Sequence, residues 1–404
     1  MPVYSTYNQN ISKDHLKKFF LAGFKSLKPK NKELISKILN LSTNDFKIDY
    51  YQSQRAAFYD YLLFLKKQNP NKNKVILPSY TCCVLVNAVL KADLQVEFID
   101  TKVNSLNYDT QKFQKVVDNQ KDQILAILIP SNFGESFDIN LVSQFKNQFN
   151  LILDSANTLT NFNLDDFKAV LLSFGSNKLL DCVFAGAIIT HFNDEFKPSF
   201  TKKNLKFEFQ SFFKIFNFLL FRKFLNTLVV KAIFKIFSNL NLFPRIISKN
   251  EKEFTYNQIN YFRTSKFFDG LLNQTLIDFQ NSNTKSKLHK LHSSLSTYTL
   301  QDFNPDNPTC FYPILVSNPK ALFEKLKKQN IFVSLDWTNA QIVPKSAQAE
   351  NINFNSQSFP NSLDLSQNLL LIPVNNSLDF KAISNTIHII FDYIHENQIT
   401  NHQR

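Results

Sequence analysis

Glycine is scarce in this chain. Only 5 Gly occur among 404 residues, whereas glycine usually makes up roughly 7% of a globular protein. Tight turns need backbone conformations that glycine adopts most easily, and Asn, Asp and Ser are the usual substitutes. We therefore expect these three residues to form many of the turns. A missing glycine also counts less against a loop motif here than it would in an ordinary sequence.

Cysteine is also rare and shows no metal-site pattern. The four cysteines include no Cys-x-x-Cys pair and no His at metal-ligand spacing; they are Cys82, Cys83, Cys182 and Cys310. Adjacent cysteines cannot easily form a disulfide with each other. The first ten residues lack the basic and then apolar segments of a secretion signal. The sequence predicts no metal site and reduced thiols in the cytoplasm.

Long uncharged apolar runs are missing even from the most hydrophobic segment. Residues 207–243 interleave Phe and Leu with Lys and Arg at helical spacing, which predicts an amphipathic helical insertion. The longest uncharged run in it, 236–243, has eight residues, and 215–221 and 224–230 have seven. A membrane-spanning helix needs about 20. The pattern excludes a span within this segment and leaves open a helix that lies on a membrane surface.

Positive charge is concentrated in one part of the chain. The formal net charge is +13, and residues 197–250 contain eleven Lys or Arg against the single Glu208. Such a stretch invites a membrane or nucleic-acid interpretation. Because its basic residues alternate with aliphatic residues of the buried type, a nucleic-acid partner is disfavoured. Peripheral contact with the inner face of the membrane through 207–243 remains open.

The length and the hydrophobic pattern predict two lobes. A chain of 404 residues with 44% hydrophobic residues can bury one large core and a smaller one. Between about 74 and 190, short continuous apolar runs alternate with helical stretches, as in an α/β domain with a mostly parallel sheet. We predict a helical lead-in at 1–47, a large domain at 48–250 that includes the 207–243 insertion, and a connecting helix with a small C-terminal α/β domain at 251–404.

The loops that follow the predicted strands carry the candidate chemistry. In open α/β sheets, ligands bind beyond the carboxyl ends of the strands. Polar loops at 51–55, 78–82, 130–134, 154–157 and 173–178 fall at these ends. Taken alone, Asp154 followed by Lys178 is a weak signal, since such Asp residues often cap helices. The loops have to be considered together.

These five loops match one known family in order. Ser173-Phe174-Gly175-Ser176-Asn177-Lys178 resembles the lysine signature of the DegT/DnrJ/StrS family of PLP-dependent sugar aminotransferases (fold type I), where PLP is pyridoxal 5'-phosphate. Asp154-Ser155-Ala156-Asn157 is similar to the family's Asp-Ala-Ala-Gln segment. Ser53-Gln54-Arg55-Ala56 resembles its phosphate loop, with Gln54 in place of a glycine. The resemblance extends from about Tyr51 to Tyr393.

The resemblance implies the fold and the role of each site residue. The fold would be the PLP-transferase type I α/β fold, with a large domain whose mostly parallel sheet is flanked by helices and a smaller C-terminal domain. Lys178 would be the catalytic residue, forming a Schiff base with PLP and moving the proton. Asp154 would bond the pyridine nitrogen. The other implied cofactor-binding residues are Gln54, Arg55 and Ser173 at the phosphate, Asn157 at the ring oxygen and Cys82 at the ring-stacking position.

The resemblance also implies a function and partners. The expected reaction transfers an amino group from glutamate to a keto group of a nucleotide-linked sugar, in surface glycan or polysaccharide biosynthesis. The expected enzyme is a cytoplasmic homodimer in which the partner chain completes the active site. The family's sugar dehydratases replace the lysine with histidine, so Lys178 disfavours that alternative. A second alternative is a non-catalytic relative whose 207–243 insertion binds a membrane surface or a glycan-assembly partner.

Overall fold

The structure of the protein is a computed structural model. It describes residues 13–22, 27–199, 205–221, 247–255, 263–375 and 378–402. Residues 1–12 of the predicted lead-in and 222–243 of the predicted insertion lie outside the described residues.

A seven-stranded sheet forms the centre of the larger lobe. Its spatial order is β1-β8-β7-β6-β5-β2-β4, and only β8 runs antiparallel to its neighbours among these strands. The strands are β1 (Phe46–Tyr51), β2 (Lys74–Pro78), β4 (Gln95–Ile99), β5 (Ile124–Pro130), β6 (Asn150–Ser155), β7 (Ala169–Ser173) and β8 (Gly186–His191). This arrangement confirms the predicted α/β class with a largely parallel sheet.

Helices cover both faces of this sheet. The helices are α1 (Lys13–Ala22), α2 (Lys28–Leu39), α3 (Gln54–Gln68), α4 (Cys83–Lys91), α5 (Thr110–Gln120), α6 (Ile139–Phe145), α7 (Leu205–Phe221), α8 (Lys249–Lys252) and α9 (Lys266–Gln280). Side chains alternate along each strand. In β2, Val75 and Leu77 therefore pack with α3 and α4, while Ile76 packs in the core that includes α2, α5, α6 and α9.

A smaller lobe follows α9 and has its own core. Its elements are α10 (Thr284–Leu295), β9 (Phe311–Leu315), α11 (Pro319–Lys328), β10 (Ile342–Val343), α12 (Pro360–Asn368), β11 (Leu369–Pro373) and α13 (Phe380–His402). β9 and β11 pair antiparallel. β10 instead pairs with β3 (Thr81–Cys82), in the loop between β2 and α4. The small lobe is thereby joined to a loop at the carboxyl edge of the large sheet.

One strand of the large sheet was missed in the sequence. β1 begins at Phe46, inside the segment predicted as a helical lead-in, and pairs along its whole length with β8. The pairing depends on β8 turning back antiparallel, which nothing in the local pattern of residues 46–51 reveals. The structure does not test the domain limits 1–47, 48–250 and 251–404, which stay predictions.

Asparagine takes over conformations that glycine usually supplies. Left-handed backbone angles occur at Asn40, Asn104, Asn330, Asn339 and Asn353. Asn tolerates this region better than most residues with a side chain. This confirms the expected use of Asn in the turns of a glycine-poor chain. Within the described ranges, no helix has both the length and the apolar character needed to cross a bilayer.

Candidate active site

The amino end of α3 lies against the loop that precedes β8. Ser53 caps α3 by accepting a hydrogen bond on Oγ from the backbone N–H of Ala56 at 3.3 Å, and it forms a β-bridge with Ala185. A Cβ on Gly186 would lie only 2.1 Å from the backbone N of Gln54. The chain therefore needs its glycine at 186, where two backbones touch, while position 54 carries a glutamine.

Gln54 and Asp154 form a buried hydrogen bond. Gln54 Nε2 donates to Asp154 Oδ1 at 2.6 Å, and the backbone N–H of Ala156 donates to the same oxygen at 3.2 Å. Asp154 lies near the carboxyl end of β6. Burial raises the pKa of Asp154, although the Gln54 hydrogen bond and the positive charge of Lys178 oppose the rise. The carboxylate is thus buried, accepts hydrogen bonds and faces a cation.

Lys178 lies in the loop between β7 and β8 and contacts the loop that follows β6. Its Nζ donates to Asn157 Oδ1 at 2.7 Å. Asn157 Nδ2 in turn donates to Asn132 Oδ1 at 2.7 Å, and Thr309 Oγ1 donates to the Asn157 carbonyl at 3.0 Å. Asn132 follows β5. The loops after three adjacent strands, together with Thr309 of the small lobe, therefore hold the Lys178 amine in place.

The loop that carries Lys178 is compact. A Cβ placed on Gly175 would lie 3.9 Å from Ser173 Oγ, 3.9 Å from Asn177 Oδ1 and 3.5 Å from Lys178 Cγ, so these groups surround a common point. Ser176 Oγ is fully buried and has no hydrogen-bond partner in the described part of the chain. The loop therefore brings Ser173 close to Lys178 and leaves one buried hydroxyl unsatisfied.

Arg55 reaches Glu251 of α8. Their side chains form an ion pair, and Glu251 also accepts hydrogen bonds from Ser248. Burial alone would raise the pKa of Glu251, but Arg55 and Ser248 outweigh burial and lower it. The predicted phosphate contact of Arg55 stays a prediction, and its guanidinium is already charge-compensated here.

Cys82 ends β3 immediately before α4 and is half-buried, whereas Cys83, Cys182 and Cys310 are buried. A hydrogen bond from Cys83 lowers the pKa of the Cys82 thiol; burial opposes this, and the charges of Lys178 and Arg55 lower it further. The charge of Lys178 thus acts on the Cys82 thiol.

Aromatic side chains pack where the small lobe contacts the site loops. Trp337 lies edge-on to Tyr80 and Phe133, with ring centroids 5.4 and 4.9 Å apart. Tyr80 OH also donates to the Trp337 carbonyl. Phe133 follows Asn132 of the Lys178 hydrogen-bond chain. Trp337, the single tryptophan of the protein, therefore packs against the residue that follows Asn132.

A second contact between the lobes involves Asp100, which follows β4. Its carboxylate accepts the backbone N–H groups of Asn361 and Ser362, at 3.2 and 3.0 Å, in the first turn of α12. A carboxylate is favourable at a helix amino end because that end carries a partial positive charge. Lys112 Nζ contacts the same carboxylate at 2.6 Å. Asp100 thereby fixes α12 on the large lobe.

The structure brings most of the sequence-predicted site residues to one place. Gln54 bonds Asp154, Lys178 bonds Asn157, Ser173 lies near Lys178, and the charge of Lys178 acts on Cys82. Two further contributors were given no role in the sequence: Asn132 and Glu251. Asn132 lies in the candidate loop at 130–134, which follows the strand beside β6. Glu251 had no signal in the sequence, because only the packing of α8 on α4 brings it to Arg55.

These groups have the chemistry that PLP requires. Lys178 supplies a primary amine for the aldehyde, buried Asp154 a negative charge for the pyridine nitrogen, and the amino end of α3 N–H groups for an anion. Ser173 and Asn157 add a hydroxyl and an amide. Across the described residues, no group of three His, Cys, Asp or Glu side chains could hold a metal ion.

Comparison with known proteins gives one family. Residues 61–202 match the model of the DegT/DnrJ/EryC1/StrS aminotransferase family. No curated protein matches the sequence.

Solved structures share the fold over nearly the whole chain at low sequence identity. The PMP form of the putative sugar aminotransferase Spr1654 from Streptococcus pneumoniae is 12% identical with a TM-score of 0.68, covering 100% of both chains. Helicobacter pylori PseC, an aminotransferase of pseudoaminic acid biosynthesis, is 14% identical with a TM-score of 0.65, covering 96% of this chain and 98% of that one. A GDP-4-keto-6-deoxymannose-3-dehydratase is 15% identical with a TM-score of 0.65, covering 96% and 99%.

The fold and the family match agree with the residues at the site. The seven-stranded sheet with a small C-terminal lobe is the fold of these neighbours, and the family match includes Asp154, Asn157, Ser173 and Lys178. The match of residues 61–202 to this family model confirms the predicted resemblance to the DegT/DnrJ/EryC1/StrS aminotransferases, and the solved structures share the fold of the chain.

Proposed function

We propose that the protein transfers an amino group from glutamate to a keto group on a nucleotide-linked sugar, in surface glycan or polysaccharide biosynthesis. The observation that carries the proposal is the Lys178–Asn157 hydrogen bond of 2.7 Å at the strand edge that also presents buried Asp154. PLP supplies an electron-withdrawing ring that stabilises negative charge on the substrate carbon.

The chain's own residues have defined tasks in this proposal. Lys178 would hold the cofactor through its aldehyde, and its amine would move the proton at the amino donor's α-carbon. Asn157 directs the lysine amine, because its amide is itself held by Asn132. Asp154 would keep the pyridine nitrogen protonated, which a buried carboxylate does well. Ser173 and the N–H groups at the amino end of α3 would bind the phosphate.

The sugar acceptor is supported by the kind of protein that shares this fold. The structural neighbours include sugar aminotransferases and a dehydratase that acts on a GDP-linked keto sugar. Lys178 favours transamination over dehydration. We extend the proposal to a cytoplasmic homodimer whose partner chain completes the site, as the family resemblance implies.

Loading the protein with PLP tests the site. The wild type should gain a visible absorption band, and borohydride followed by peptide mass analysis should find the cofactor on Lys178. Lys178→Ala should lose both signals, whereas Lys285→Ala, at an exposed lysine of α10, should keep them. A wild type without a band, or with its label on another lysine, would remove the enzyme proposal. A panel of nucleotide-linked keto sugars with glutamate then tests the acceptor.

A second candidate function is binding to a membrane surface or to a glycan-assembly partner, through 207–243. The observation that favours it is an exposed apolar surface on α1 and α7, where Phe20, Leu21, Phe209 and Leu220 are 44–62% exposed. Residues 197–250 add a net excess of positive charge, and anionic lipid attracts such segments. The apolar residues would enter the lipid interface.

Vesicle flotation tests this second candidate. The full chain should float with vesicles that contain anionic lipid and stay behind with neutral ones. Phe209→Glu with Leu220→Glu should abolish flotation, while Phe380→Glu, at an exposed position on α13, should not. Equal flotation of all variants would exclude this surface as the membrane contact.

A further inference from the structure

Gln54 occupies an unusual position in the site. It is buried, at 8% exposure, and is the first residue of α3. Its side-chain amide reaches across to Asp154, a residue 100 positions away, and donates a hydrogen bond of 2.6 Å. Hydrogen bonds to a charged acceptor are shorter and stronger than neutral ones. This contact is therefore one of the stronger polar interactions in the site.

The backbone of Gln54 cannot shift to accommodate a ligand. Gly186 lies so close that an added Cβ would fall 2.1 Å from Gln54 N and 2.4 Å from Gln54 Cα, and the neighbouring Ser53 is bridged to Ala185. Only the Gln54 side chain has rotamers available for movement. A ligand that needs this space must displace the side chain.

The Gln54 side chain runs between the two ends of the cofactor site. The amino end of α3 would attract the phosphate, and Asp154 would bind the pyridine nitrogen. Gln54 is the first residue of α3, and its side chain reaches Asp154. Its side chain therefore extends from the group that would bind the phosphate to the carboxylate that would bind the ring nitrogen, and its amide takes a hydrogen-bonding position on that carboxylate.

We propose that Gln54 is a displaceable occupant of the cofactor site, whose amide holds Asp154 in the cofactor-free protein and must leave this carboxylate before the pyridine nitrogen binds. The proposal rests on the proposed function. It predicts a cofactor-free form in which Asp154 is already satisfied, and a cofactor that binds more weakly than the other contacts allow. Loss of one hydrogen bond to a charged group corresponds to about a tenfold to hundredfold change in affinity.

Replacing Gln54 tests the sign of this effect. The dissociation constant of PLP is measured from quenching of Trp337 fluorescence, together with the melting temperature of the cofactor-free protein. Gln54→Ala and Gln54→Ser should bind PLP about tenfold or more tightly, and their cofactor-free forms should melt at lower temperature than the wild type. If both variants bind PLP as weakly as the wild type or more weakly, Gln54 is not a competitor and the proposal is overturned.

A double variant tests the role of Asp154. The expected gain in PLP affinity arises from freeing the Asp154 carboxylate. The double variant Gln54→Ala/Asp154→Ala should therefore bind PLP no more tightly than Asp154→Ala alone. A gain that persists in the double variant would mean that Gln54 acts through bulk alone, and the proposal would fail.

Failure of this proposal can be told from failure of the enzyme proposal. Borohydride labelling of Lys178 in the wild type, combined with weaker binding in Gln54→Ala, overturns the role of Gln54 alone. Absence of binding and of labelling in the wild type and in all Gln54 variants overturns both proposals.

Discussion

Lys178 and Asn157 form a hydrogen bond of 2.7 Å between Nζ and Oδ1. Asn132 determines which atom of the Asn157 amide faces the lysine. Because Asn157 Nδ2 donates to Asn132 Oδ1, the Asn157 amide turns its oxygen, and not its nitrogen, towards the lysine. The Lys178 amine therefore faces a hydrogen-bond acceptor, the Asn157 side-chain oxygen. Three loops at the carboxyl edge of the sheet contribute to this one contact.

Gly186 is expected to tolerate no side chain. Gly186→Ala places a Cβ 2.1 Å from Gln54 N, so two backbones must separate, and the free energy of unfolding should fall by about 3 kcal/mol. The control is Gly175→Ala in the Lys178 loop, whose Cβ would meet its nearest neighbour at an ordinary 3.5 Å and should change stability by less than about 1 kcal/mol. Urea unfolding measures both. Similar losses for the two variants would refute the close backbone approach at Gly186.

The ion pair between Arg55 and Glu251 is expected to contribute strongly to stability. The Glu251 side chain is 8% exposed, and removing one partner of a buried pair costs about 3–5 kcal/mol. Glu251→Ala should show this loss. Glu396→Ala, which breaks a pair with Lys325 at a carboxylate that is 65% exposed, should cost less than about 1 kcal/mol. Comparable effects in urea unfolding would show that the Arg55 pair is no stronger than a surface pair.

The pH dependence of the Glu251 contribution follows from its pKa. Burial raises this pKa, but Arg55 and Ser248 lower it below the ordinary Glu value. A carboxyl group with a lowered pKa in the folded state stabilises the fold above its unfolded pKa and loses that effect as the pH falls. The stability difference between wild type and Glu251→Ala should therefore shrink in acid. A difference that grows on acidification would rule out this assignment.

Glu135 is expected to make the fold less stable at alkaline pH. It is 2% exposed, and burial raises its pKa to about 8, although the backbone N–H of Leu106 donates to it. The folded chain keeps this proton at a pH where the unfolded chain has lost it, so the stabilisation is present in acid and lost as the pH rises towards 8.

Glu135→Gln provides the measurement for this prediction. The amide keeps an oxygen for Leu106 and has no charge to bury. The wild type should lose stability relative to this variant as the pH increases, by as much as about 5 kcal/mol. Parallel stability profiles for the two proteins across the neutral range would disprove the raised pKa.

Cys82 is expected to be the most reactive thiol of the protein. Its pKa is lowered, first by the hydrogen bond from Cys83 and further by the charges of Lys178 and Arg55, and it is more exposed than the other cysteines. Thiolates are the reactive form. Iodoacetamide should therefore label Cys82 first, and bound PLP should protect it, because Cys82 is the predicted ring-stacking residue. Cys82→Ala should lack the fast phase of labelling. Faster labelling of another cysteine, or no protection by PLP, would count against this placement.

Much of the fold was predictable because its signals are local. Apolar runs of strand length alternate with helical periodicity between residues 74 and 190, and the strands and helices of the structure follow them. β1 was not predicted, because a strand at a sheet edge depends on its partner strand, here β8. The pairing of β3 with β10 likewise joins segments that lie far apart in the chain.

The sequence by itself determined the class of the fold and which loops carry the chemistry. The carboxyl ends of parallel strands lie at one edge of the sheet, so the residues that follow them are close together for any conformation of the loops. That rule selected the loops, and the resemblance to the DegT/DnrJ/StrS family selected Lys178, Asp154, Asn157 and Ser173 within them. Only the tertiary structure decided the partners of these residues. Gln54 bonds Asp154 and Arg55 pairs with Glu251 across 100 and 196 positions, because packing of distant elements, and not local periodicity, sets which side chains meet.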